Sequence, residues 1–131
     1  PERPAVVLDV GHNPQAAAVL AENLSAMGPC PRTWAVFGML RDKDIAGVVR
    51  VLAGRVDEWF VCTLPPPRGA RAEALAQALR QTGVDAVREF ENPAAAYAAA
   101  HGEAAEGDRI IVFGSFHTVA EVIAAREQIK A

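Results

Sequence analysis

A chain of 131 residues is the length of one domain, and 51% hydrophobic residues suffice for a substantial core. The net charge of -3, with basic residues scattered along the chain, excludes a general nucleic-acid binder. No apolar run reaches membrane-span length and no basic-apolar-small leader opens the chain, so no membrane partner and a cytoplasmic location are expected.

Pro1 to Pro4 reads as a linker remnant, so residues 1–131 are expected to be a single domain excised from a larger protein. A first strand is expected over Ala5–Val10, where Val6 to Leu8 form an apolar run suited to a sheet covered on both faces. Asp9, Gly11, His12 and Asn13 make the turn that follows. Asn13 then serves as N-cap and Pro14 as first residue of a helix to Met27, with Ala16, Ala17, Val19, Leu20, Leu24 and Met27 near helical spacing. Such a turn presents backbone N–H groups at a positive helix end, where an anion or nucleotide can dock.

A second strand over Thr33–Phe37 empties into Gly38-Met39-Leu40-Arg41-Asp42-Lys43-Asp44, ahead of a helix over Ile45–Ala53. The third strand, Glu58–Thr63, ends in a triple proline, Pro65-Pro66-Pro67, expected to be a stiff extended loop. A helix over Arg71–Gln81, a short strand over Ala86–Phe90 and an alanine-rich helix from Pro93 to Ala105 follow. Strand five, Arg109–Phe113, is broken by Gly114-Ser115-Phe116-His117. Thr118 and Glu121 form a candidate capping box for a last helix whose inward side carries Val119, Val122 and Ile123, with Ser115 as an alternative cap.

Strands alternating with helix-length connections imply an α/β, Rossmann-like, doubly wound fold: a mostly parallel sheet of five to six strands with helices on both faces. Ligands of such sheets bind beyond the carboxyl ends of the strands, where the strand order reverses. The chain places its unusual polar residues there three times, as Asp9, His12 and Asn13, as Asp42, Lys43 and Asp44, and as Ser115, His117 and Thr118.

Bland readings stand beside each. Asp9 and His12 can simply tie down a turn, Asp42 or Asp44 can cap the second helix, and Lys43 and His117 can be solvated surface groups. A Ser115-His117-Asp9 triad is set aside because Ser115 lacks a Gly-x-Ser-x-Gly elbow. The histidines and aspartates lack metal-ligand spacing, so no metal site is expected. Cys30 and Cys62 read as two reduced, buried thiols without a chemical role. Neither Gly-x-x-x-x-Gly-Lys-Ser/Thr nor Gly-x-Gly-x-x-Gly occurs, so a nucleotide would find only part of its site here.

Asp9-Val10-Gly11-His12-Asn13-Pro14 resembles the Asp-Gly-Ala-His-Asn-Pro signature that opens the carboxy-terminal domain of the folylpolyglutamate synthase and dihydrofolate synthase family, a branch of the Mur ligases. Val10 and Gly11 stand where the signature has Gly and Ala. Gly38-Met39-Leu40-Arg41-Asp42-Lys43-Asp44 is similar to that family's Gly-Met-x-x-Asp-Lys-Asp stretch, and Gly114-Ser115-Phe116-His117-Thr118-Val119 to its Gly-Ser-Phe-x-Thr-Val stretch.

The resemblance implies one domain of an ATP-dependent ligase that joins L-glutamate to a pteroate or folate carboxylate through an acyl phosphate. It implies that Asp9, His12 and Asn13 serve ATP, with His12 also near the reacting centre. Lys43 and Ser115 would hold the carboxylates of the incoming glutamate, as an ammonium and a hydroxyl donor. Magnesium would be bound mainly by a preceding N-terminal and central ATPase domain, the expected partner of this one. A monomer is expected, inactive when isolated. A free-standing nucleotide- or small-molecule-binding module, and the equivalent domain of a cell-wall Mur ligase, are the alternatives.

Overall fold

A computed structural model describes residues 4–130, so most of the expected linker at residues 1–4 lies outside the described residues. Five strands, β1 (Ala5–Asp9), β2 (Thr33–Phe37), β3 (Glu58–Cys62), β4 (Val87–Phe90) and β5 (Arg109–Phe113), alternate with five helices. The helices are α1 (Pro14–Ala26), α2 (Ile45–Leu52), α3 (Ala72–Gln81), α4 (Pro93–Glu103) and α5 (Phe116–Lys130), and a 3₁₀ turn at Ala53–Arg55 follows α2. All strand pairs are parallel, in the order β1-β5-β2-β3-β4.

That order places the reversal. The chain steps outward from β1 through β2 and β3 to β4, then returns to insert β5 between β1 and β2. Helices α1, α2 and α3 pack on one face and α4 and α5 on the other, giving the doubly wound architecture. Register explains the division: Val7, Ile111, Ala35, Trp59 and Val87 form one lateral row across the sheet and face α1 to α3. The alternate residues Trp34, Val36, Phe60, Ile110 and Val112 face α4 and α5, as period-two alternation requires.

The two central strands β2 and β5 are buried along their whole length, as continuous apolar runs predict. The apolar run of β1 has a different setting, because β1 is an edge strand and Leu8 is 36% exposed. On α1, Ala17, Leu20 and Leu24 turn inward, while Val19 and Met27 face solvent.

Three further expectations change. The proline loop is no extended strap: it turns back so that Gly69 N–H donates to Pro65 O at 2.9 Å, with a cis peptide at Pro66–Pro67. Helix α5 starts at Phe116, ahead of the expected Thr118-Glu121 box, and Ile123 is 45% exposed rather than inward. Cys62 is buried as expected, whereas Cys30 is half-buried. Burial pushes the Cys62 thiol well above its usual range.

Candidate functional site at the carboxyl edge of the sheet

Because β5 lies between β1 and β2, the loops after these three strands are neighbours. They carry the three polar groups singled out in the sequence, so Asp9, His12, Asn13, Lys43 and Ser115 share one edge on both sides of the reversal.

The β1–α1 turn is built by side chain-to-backbone bonds. Asp9 Oδ1 accepts from Gly11 N–H at 2.7 Å, and Asn13 Oδ1 accepts from Ala16 N–H at 2.8 Å as the α1 cap. A Cβ at position 11 would lie 2.5 Å from Ala16 Cβ and 2.8 Å from Asp9 Oδ1, so the turn closes this tightly only around glycine. Ala17 N–H goes to the Asn13 carbonyl, and Pro14 has no N–H. Of the first-turn donors, that leaves Gln15 N–H without a protein partner among the described residues. Asn13 N–H is likewise without a protein partner among the described residues, so the helix end offers two free backbone donors. Asp9 is half-buried with its second oxygen uncommitted, and His12 is exposed without a partner among the described residues.

The β2–α2 loop is held from two sides. Arg41 N–H donates to Arg68 O at 2.8 Å, and Asp44 caps α2 by accepting from Gly47 N–H at 2.9 Å. Asp42 pairs with Arg68 at 3.5 Å in the open. Lys43 is half-buried and its ammonium joins no ion pair among the described residues, which leaves its charge for a ligand. A Cβ on Gly47 would lie 2.7 Å from Pro14 Cγ, so the amino-terminal ends of α1 and α2 abut.

The β5–α5 loop locks onto the β2–α2 loop. Gly114 adopts φ 112°, and a Cβ there would lie 2.3 Å from Gly38 O. Ser115 is the actual α5 cap, accepting from Thr118 N–H at 3.1 Å. Thr118 Oγ1 donates to the Gly38 carbonyl at 3.0 Å, and Ser115 Oγ lies 2.8 Å from Thr118 Oγ1. A carbonyl only accepts, so the single Thr118 proton goes to Gly38 and Ser115 gives its own proton to Thr118. Ser115, 4% exposed, is left with an acceptor lone pair and no free donor.

Three helix amino termini, those of α1, α2 and α5, thus point at one edge, with an uncommitted carboxylate, an imidazole and an ammonium beside them. The partial positive ends and Lys43 suit a polyanion, and Asp9 suits a hydroxyl donor. No three His, Cys, Asp or Glu side chains gather in metal-ligand fashion among the described residues, so this donor set does not fit a magnesium ion.

Thr118 and Glu121, expected only as a capping box, make long-range contacts that the sequence does not disclose. Thr118 ties α5 to the β2 loop 80 residues away, a contact no local pattern signals. Glu121 receives Ala94 N–H at 3.0 Å at the start of α4 and holds His117 at 3.2 Å, so His117 belongs to a helix-joining contact.

The family model for the Mur ligase glutamate ligase domain matches residues 1–116. The dihydrofolate synthase/folylpolyglutamate synthase of Escherichia coli K12 is 44% identical over 122 residues, 93% of this chain and 28% of that protein. The Haemophilus influenzae protein of the same name is 39% identical, over 95% of this chain and 29% of its own length. The structure of E. coli FolC in complex with ADP superposes with a TM-score of 0.90 at 42% identity, covering 99% of this chain and 30% of that one. A bifunctional folylpolyglutamate synthase/dihydrofolate synthase with Mn, AMPPNP and L-glutamate bound gives 0.87 at 43% identity, covering 97% and 30%. The chain spans less than a third of the length of these relatives. With its three motif loops gathered at the reversal of a doubly wound sheet and the family model matched over most of its length, the chain belongs to the Mur ligase family as a glutamate ligase domain.

Proposed function

We propose that this domain is the carboxy-terminal part of an ATP-dependent ligase that adds L-glutamate to dihydropteroate, to folylpolyglutamate, or to both. The observation that carries the reading is the convergence of the three motif loops at one edge, between β1, β5 and β2. The names of the relatives support a folate acceptor over a cell-wall precursor, and their greater length supports a preceding ATPase domain as partner over a free-standing module.

In this reading, the acceptor carboxylate takes the γ-phosphoryl group of ATP with release of ADP, giving a hydrolysable acyl phosphate, and the glutamate amine displaces phosphate to make the amide. Asp9 presents its uncommitted carboxylate oxygen to the ATP ribose. His12 and Asn13 lie over the phosphates beside the α1 end, with His12 closest to the reacting centre. Lys43 holds a glutamate carboxylate. Ser115, whose proton is committed to Thr118, serves as an acceptor for the glutamate ammonium instead of the carboxylate donor that the resemblance implies. No step is assigned to a metal on this chain. The preceding domain closes over this edge and excludes water from the acyl phosphate.

The test is ATP-dependent incorporation of labelled L-glutamate by the full-length protein, with dihydropteroate or a reduced folate as acceptor. Incorporation is expected, and the acceptor used separates the two activities. A folded protein that incorporates glutamate into neither acceptor overturns the reading.

A further inference from the structure

The opposite, amino-terminal edge of the sheet holds a second polar recess, far from the motif loops. Arg109 opens β5, and its register partner on β2 is Thr33; both point to the α1–α2 side. They floor a cleft of about 460 Å³ walled by Ser25 at the end of α1, by Gly28 and Cys30 after it, and by Arg55 and Asp57 ahead of β3. That volume lies within the range of about 300–1,000 Å³ typical of small-molecule sites.

Arg109 is the anomaly. It is only 8% exposed, yet it has no carboxylate partner among the described residues, and its one side-chain bond runs from Nη2 to Gly28 O at 2.8 Å. A guanidinium carries five N–H donors, and one buried without a counter-charge is costly unless an anion completes it. The second guanidinium, Arg55, leans across the mouth onto Ser25 Oγ. The one carboxylate in the lining is Asp57, which accepts from Thr33 N–H at 2.7 Å through one oxygen and is ion-paired with neither arginine among the described residues. Two guanidiniums therefore face one carboxylate, which leaves the lining with an excess of positive charge.

The geometry points to a phosphate-binding site at this edge, taking a free phosphate or a small phosphomonoester. Forked guanidiniums match phosphate oxygens in pairs. The cleft exceeds a bare phosphate, which leaves room along Leu24 and Pro29 for an ester's organic part. This site is independent of the ligase reading, since it lies at the other end of the strands.

The experiment is calorimetric titration of the full-length protein, its nucleotide site saturated with a non-hydrolysable ATP analogue, with inorganic phosphate and, separately, glycerol 3-phosphate. Saturable one-site binding is expected. Arg55→Gln, a change at an exposed position that leaves the fold alone, should weaken it about tenfold, about 1.4 kcal/mol. Arg109→Lys should do the same, because it keeps the charge and the Gly28 contact but loses the fork. Lys43→Met, at the catalytic edge, should leave the affinity unchanged. Tighter binding of the ester identifies a phosphomonoester site; tighter binding of inorganic phosphate identifies a free-phosphate site. No binding of either probe up to about 10 mM, or binding lost with Lys43→Met and kept with Arg55→Gln, overturns the proposal.

Discussion

Thr118 has one hydroxyl proton and two neighbours that depend on it. It gives the proton to the buried Gly38 carbonyl and accepts from Ser115, so it joins the loops of β2 and β5 from within the α5 first turn. Thr118→Val keeps the shape and removes the donor, leaving Gly38 O without its partner and the Ser115 proton without an acceptor. A loss of about 1–3 kcal/mol in urea unfolding is expected; an unchanged midpoint would show that the chain of hydroxyls carries no stability.

On the proposed reading, Asp9 divides its two oxygens between structure and ligand, one of them accepting from Gly11 N–H. In the full-length protein, Asp9→Ala should raise KM for ATP about tenfold, the loss of a charge-assisted bond, while removal of the Gly11 contact costs only about 1 kcal/mol of stability. Unchanged KM with reduced stability would mean that Asp9 only ties the turn.

Among the elements, α4 shows what an alanine-rich run accomplishes. Ala96 and Ala100 are fully buried against Trp34, Val36 and Phe60, so the helix lies close on the sheet. Ala100→Leu should overpack that seam and cost about 1–3 kcal/mol, read from denaturant unfolding; tolerance would mean the seam has room.

The turn between α4 and β5 depends on Asp108. Burial pushes its carboxyl upward, but bonds from Ala105 N–H at 2.8 Å and Trp34 Nε1 at 3.0 Å outweigh that and hold it below the usual carboxylate range. A depressed folded value adds stability above the unfolded pKa of about 3.9 that is lost as pH falls through the folded value. The stability gap between the native chain and Asp108→Asn should therefore be full at neutral pH and close in acid. A gap independent of pH would assign Asp108 no charge-dependent role.

Element boundaries were readable where local chemistry is unopposed: Thr33–Phe37 and Arg109–Phe113 stand as the sequence implies, and Asn13 caps α1. The α5 start was ambiguous because Ser115 and Thr118 are both good caps. The choice between them rests on Gly38, which only the folded sheet brings near.

At the scale of the whole molecule, the alternation of strand and helix disclosed a doubly wound sheet, but not its order. Val6-Val7-Leu8 reads as a buried strand because an apolar run records hydrophobicity without position, and the return from β4 to a slot beside β1 is what makes β1 an edge. The site was legible as three loops, since each motif sits at a strand end. That the loops adjoin follows only from the same return of β5.

Convergence of this kind also limits what the domain does alone. Its edge offers two free backbone donors at the α1 end, a serine already holding its proton to Thr118, and no cluster of metal ligands among the described residues. An acyl phosphate on such an open edge meets water as readily as glutamate. The isolated 131-residue chain should therefore be folded by circular dichroism and yet incorporate no glutamate, at enzyme concentrations where the full-length protein turns over. Adding the separately produced preceding domain should restore measurable incorporation if closure of the two is what excludes water. Turnover by the isolated chain would show that this edge is a complete site, and would refute the division of labour between the two domains.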